Sequence, residues 1–115
     1  MEIQLLYFDG CPNLHTAEER LTEALTLVGR PGQSVNLRAV ETDQDAQAQH
    51  FTGSPTIRVD GNDLFPPTAD TYGLTCRVYA TPDGLAGAPT VEQLVQALSS
   101  NDQEAARVGT VAVRR

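Results

Sequence analysis

Few side chains in this 115-residue chain could do covalent or acid–base chemistry, and Cys11 has the most informative surroundings among them. An apolar run, Ile3 to Phe8, ends at Asp9-Gly10; Cys11 and Pro12 follow, and an amphipathic pattern then begins. That order predicts strand, tight loop and helix, with a thiol at the helix start. Pro12 suits the first helical position, where its missing N–H removes no bond. Cys11 then falls at the N-cap, beside unpaired backbone N–H groups and the positive end of the helix dipole. Such a place stabilises a thiolate, the nucleophilic form of cysteine. The bland counterpart is a small buried cysteine without chemistry, as isolated cysteines commonly are.

Three other titratable residues fall near Cys11 in this reading. Asp9, two residues upstream, disfavours a thiolate as a neighbouring charge and could equally serve as its proton acceptor. His15 follows Cys11 by one helical turn on the same side, where an imidazolium would favour the thiolate. His50 comes just before the Pro55 loop and could approach from the other side. For both histidines the bland alternative is an exposed surface residue.

The elements that must position these residues follow from periodicity. Ile3–Phe8 is apolar on both faces apart from Gln4, as a central covered strand is. Leu14, Ala17, Leu21, Ala24 or Leu25, and Val28 form one stripe of a first helix, which Gly29 ends. Residues 34–41 alternate as a half-buried strand, so the first helix can serve as a parallel crossover. A short helix over 46–51 follows a start signal at Thr42-Asp43-Gln44-Asp45. Pro55 comes at the first residue of a strand running through Asp60, one of the few places a sheet tolerates proline. A Pro/Asp/Thr-rich loop over 62–75 leads to a short strand, 76–80, expected to pair antiparallel with 56–60. Thr90 and Gln93 give a last helix its capping box, and Val91, Leu94, Val95 and Leu98 its core stripe. The expected organisation is one domain over residues 1–99 and a flexible tail over 100–115.

Composition limits the partners. The formal net charge of −7 argues against nucleic acid and anionic membranes, which both need basic patches. All eight basic residues are Arg, so there is no lysine for Schiff-base chemistry or a phosphate loop. Two cysteines are too few for a disulfide framework or a cysteine-only zinc site, and no metal site is expected. The sequence shows no basic-then-apolar leader and no long apolar run, so a cytoplasmic protein with free thiols is the expectation.

The order β-α-β-α-β-β-α, with a cysteine at the first helix and a proline at the third strand, resembles the thioredoxin fold: α/β, a central mixed sheet flanked by helices. Three blocks narrow the resemblance: Leu6-Tyr7-Phe8-Asp9-Gly10-Cys11-Pro12-Asn13, Gly53-Ser54-Pro55-Thr56 and Gly73-Leu74-Thr75-Cys76-Arg77-Val78-Tyr79. Together, over roughly residues 2–98, they resemble a group of small bacterial thioredoxin-like proteins, some of them selenoproteins and some labelled as related to alkylmercury lyase. The resemblance implies a cis Pro55 facing the thiol. It also implies that Ser54 and Pro55 bind substrate, the backbone before the proline pairing with an extended peptide or with glutathione. Tyr7 and Phe8 are expected to pack the core. Dithiol members carry a second Cys or selenocysteine three residues after the first; here that residue is Leu14. A disulfide within the motif is therefore excluded, and dithiol turnover is lost with it.

Cys76 is expected not to replace the missing thiol. If its strand runs antiparallel to 56–60, it begins at the far end, roughly 13 Å from Pro55 at about 3.3 Å per residue. A disulfide needs Cα atoms within about 7 Å. The expected function is monothiol thiol–disulfide exchange at Cys11, without a resident cofactor. Its partners would be a disulfide-containing protein or a low-molecular-weight thiol, with glutathione as a co-substrate. Two alternatives remain open: a thioredoxin-fold module that binds without catalysis, and a thiolate site for a soft metal such as mercury.

Overall fold

The structure, a computed structural model, describes residues 2–66 and 71–100. The apolar run forms β1 (Ile3–Tyr7), and the amphipathic stretch after it forms α1 (Leu14–Leu27). β2 (Val35–Ala39), α2 (Asp43–Gln49) and β3 (Thr56–Val59) follow. β4 (Asn62–Asp63) is a two-residue strand, and β5 (Tyr79–Thr81) and β6 (Gly84–Ala86) form a separate hairpin. A third helix, α3, occupies 91–100. Among the described residues the architecture is α/β, with a mixed sheet and three helices.

The main sheet has the order β2-β1-β3-β4. β2 runs parallel to β1, with Leu5 opposite Leu37, and β3 runs antiparallel to β1, with Leu5 opposite Ile57. Alternation along the strands sends successive side chains to opposite faces. Ile3, Leu5, Ile57 and Val59 meet Ala17, Leu21, Ala24 and Leu25 of α1 and Leu94 and Leu98 of α3. Leu6 goes the other way, into a smaller cluster with Val40, Ala46 and Phe51. Leu14, standing where a second thiol would be, packs against the larger cluster.

The helix ends follow local chemistry. Thr42 caps α2 by accepting the Asp45 N–H at 3.0 Å, so that helix begins at Asp43, earlier than its weak apolar stripe suggests. Thr90 and Gln93 exchange side chain-to-backbone bonds of 2.9 and 3.1 Å at the start of α3, as a capping box does. The N-cap of α1 is Asn13 rather than Cys11. Two turns intervene: Cys11 N–H donates to Phe8 O at 3.2 Å, and Leu14 N–H to Cys11 O at 3.5 Å.

One strand pairing differs from expectation, and much follows from it. Residues 76–80 do not run back along β3. Asp60 and Gly61 both have positive φ, 52° and 87°, the backbone of a tight two-residue hairpin turn. That turn folds Asn62 and Asp63 directly onto Val59 and Arg58, so the place beside β3 is already taken. Tyr79–Thr81 pairs with Gly84–Ala86 instead. Residues 67–70 of the long loop and 101–115 of the expected tail lie outside the described residues. No helix of the described residues is long and apolar enough to cross a membrane.

Phe51 is wholly buried and joins the end of α2 to the core just before Gly53. Phe51→Ala should destabilise the fold by about 3–5 kcal/mol, measured as a shift in the urea unfolding midpoint.

Candidate functional site

The site lies where β1 ends and β3 begins. β1 and β3 stay in register to Leu6 opposite Thr56, and two residues further Phe8 N–H donates to Ser54 Oγ at 3.4 Å. The turn through Asp9-Gly10 then delivers Cys11. The Ser54–Pro55 peptide bond is cis. Cys11 and the Ser54-Pro55 loop therefore share one end of the sheet, and Cys11 is half-buried there. No side chain caps α1, and its first turn carries no acidic residue. The helix start just beyond Cys11 therefore keeps its positive dipole end with no carboxylate in its own first turn.

Asp9 and His15 are both exposed, and among the described residues no hydrogen bond joins either to Cys11. The His50 ring stacks on Tyr72, with centroids 4.9 Å apart and planes 4° from parallel. Phe8 is partly buried against the smaller core cluster.

Cys76 is placed quite differently from the sequence expectation. It forms a parallel bridge with Ser54, so it lies at the Pro55 end of β3 and not at the far end. The two bonds of that bridge are Ser54 N–H to Thr75 O at 2.8 Å and Arg77 N–H to Ser54 O at 2.9 Å. Cys76 is exposed there, and so is Val78, at 60%. Strand order alone points to 76–80 as the partner of β3, but the Asp60-Gly61 turn supplies Asn62 and Asp63 in that place. The outward backbone groups of Ser54, which the resemblance assigns to substrate, are the same groups that Thr75 and Arg77 occupy.

Arg77 anchors this segment, and sequence reasoning did not single it out. It is nearly buried at 9% exposure. Its guanidinium donates to Asp63 Oδ2 at 2.7 Å, to Asp63 Oδ1 at 3.3 Å, to Thr56 Oγ1 at 3.2 Å and to Phe65 O. It also lies 4.7 Å from the centre of the Tyr79 ring. A buried cation is tolerated only with such full pairing. Tyr79 in turn donates from its hydroxyl to Pro55 O at 2.5 Å and meets Phe65 edge-on. Gly53 makes the approach possible, because a Cβ there would lie 2.8 Å from Arg77 Cβ. The available signal was the alternation of Arg77 and Tyr79, which puts both on one side of the returning chain.

No protein-family profile matches the chain, and no curated protein or solved structure matches it.

Burial pushes the Tyr79 phenol well above its ordinary value of 10.0; Arg77 opposes that shift and Asp63 adds to it. The folded state thus holds this proton more tightly than the unfolded chain does. The stabilisation is complete below about pH 10 and is lost as pH rises beyond it. Urea unfolding should therefore show stability declining above about pH 10. Tyr79→Phe should flatten that decline while removing about 1–3 kcal/mol at pH 7, because Pro55 O loses its buried partner.

Proposed function

We propose that this chain is a thioredoxin-like thiol–disulfide oxidoreductase of the monothiol type, with Cys11 as its nucleophile. The observation that carries the proposal is the position of Cys11. It stands just ahead of an uncapped helix start, at the sheet end that also holds the cis Ser54–Pro55 bond. The sheet order β2-β1-β3-β4, with β2 parallel and β3 antiparallel to β1, supports the fold assignment. In the proposed reaction the Cys11 thiolate attacks one sulfur of a disulfide, and the other sulfur leaves as a thiolate. An external thiol such as glutathione then attacks the mixed disulfide and releases Cys11 reduced. Asp9 and His15 are proposed only as modulators of the thiolate, through charge at a distance rather than direct bonds.

A second reading makes Cys76 the resolving thiol. The bridge between Ser54 and Cys76 favours it, because it brings the chain's other thiol to the Cys11 end of the sheet. Cys76 would then displace the bound thiol and close an intramolecular disulfide, which an external dithiol reopens.

In a Cys76→Ser protein, Cys11 should be alkylated at pH 7 at least about tenfold faster in the folded state than in the urea-unfolded chain, by mass spectrometry. Equal rates would leave a scaffold that binds without thiol chemistry. Cys11→Ser should abolish disulfide reduction, and Cys76→Ser should preserve it. Loss of activity in Cys76→Ser with rapid Cys11 alkylation retained would select the dithiol reading.

A further inference from the structure

A thiol at the head of a helix can take its substrate in two ways. An extended peptide adds as a strand, giving and accepting backbone hydrogen bonds along an open sheet edge. A compact disulfide needs only access to the sulfur. The edge beside Cys11 is that of β3 and the Ser54-Pro55 loop before it, and it is covered by the chain itself. Ser54 has both outward backbone groups bonded, to Thr75 O and Arg77 N–H. Further along, Pro55 O accepts the Tyr79 hydroxyl and Ile57 O accepts Leu64 N–H at 2.9 Å. Arg58 and Val59 are paired with β4.

The cover is held firmly. Its backbone lies against Gly53, where a Cβ would strike Arg77 Cα at 3.0 Å and Arg77 N at 3.1 Å. Its side-chain anchor is the nearly buried Arg77, forked onto Asp63 and bonded to Thr56 and to Phe65 O. An incoming strand would have to break two backbone bonds at Ser54 and draw a paired guanidinium out of its site. On the other side the described residues leave Asp9, Gly10 and Pro12 exposed, with Cys11 between them half-buried.

We infer that the Arg77–Asp63 clamp seals the peptide-docking edge beside Cys11 and restricts its substrates to compact, low-molecular-weight disulfides. Arg77 and Asp63 are specificity-determining residues that touch no reacting atom. The inference rests on the thiol chemistry proposed for Cys11 and narrows its substrate class. The step itself is ordinary exchange: a bond forms between Cys11 Sγ and one substrate sulfur, the substrate S–S bond breaks, and the second sulfur departs with the electron pair.

The test compares two probes on the Cys76→Ser protein: 2-hydroxyethyl disulfide, and the disulfide-linked dimer of a short extended peptide. Rates of mixed-disulfide formation at Cys11 are read by mass spectrometry, folded and in urea. The compact probe should react faster in the folded protein than in the unfolded chain, and the peptide probe should gain no such advantage. Adding Asp63→Asn or, separately, Arg77→Ala should raise the peptide rate about tenfold or more relative to the compact rate. Amide hydrogen exchange at Ser54 and Arg77 should show the segment released in those variants. Comparable acceleration of both probes with the clamp intact overturns the inference while leaving the thiol chemistry standing, a result that needs no variant to fold. An unchanged ratio of rates in a variant whose segment is released overturns it as well. No acceleration of either probe overturns the thiol reading and this inference together.

Discussion

A guanidinium withdrawn from water has to be given back nearly all of its hydrogen bonds, and the site end of this protein is arranged around that requirement. Arg77 receives a carboxylate from Asp63, a hydroxyl from Thr56 and a carbonyl from Phe65, with the Tyr79 ring beneath it. These partners come from β3, from β4, from the chain after β4 and from β5. One buried charge thus ties together four stretches that make few backbone pairings with one another. Truncating Asp63 would leave that charge without its counter-ion, whereas an apolar pair of similar shape in both places need not be destabilising.

The arrangement has a chemical consequence. The same bonds that seat Arg77 press residues 75–77 against Ser54, and Gly53 leaves room for them. Ser54 is thereby flanked on one side by Phe8, which leads to Cys11, and on the other by Cys76. Cys11, the cis bond and Cys76 are brought to one end of the sheet through backbone register rather than through direct side-chain contacts. Arg58, whose guanidinium is held by the last carbonyls of α2, ties that helix to the same sheet face. Burial lowers its pKa from the ordinary arginine range, with Asp63 opposing the shift.

Much of the frame was legible in the residues. The unbroken apolar run of β1, the four-residue spacing of Ala17, Leu21 and Leu25, and the Thr90–Gln93 box each carry their structure locally. Their period or hydrogen-bonding pattern admits few alternatives. So, through a resemblance, does the Ser54-Pro55 loop. The position of Cys11 was close but not complete: Pro12 permitted an N-cap at Cys11, two residues before the observed Asn13, and the chain instead turns twice in between. Local propensity places such boundaries only to within a residue or two.

Where residues 75–79 go was not legible in that way. A short apolar-alternating stretch pairs with whichever edge is free, and which edge is free depends on the rest of the fold. The Asp60-Gly61 turn filled the outer side of Val59 and Arg58 with Asn62 and Asp63, leaving only Ser54 for Cys76. The sequence by itself determined the strand–turn–helix around Cys11, the absence of a second thiol at Leu14 and the α/β class. All of these depend on neighbours a few residues apart. Only the tertiary structure decided that Cys76 comes to the Cys11 end and that the edge beside Ser54 is closed. The returning segment is anchored by a buried ion pair between residues fourteen positions apart, and that pairing has no periodicity to announce it.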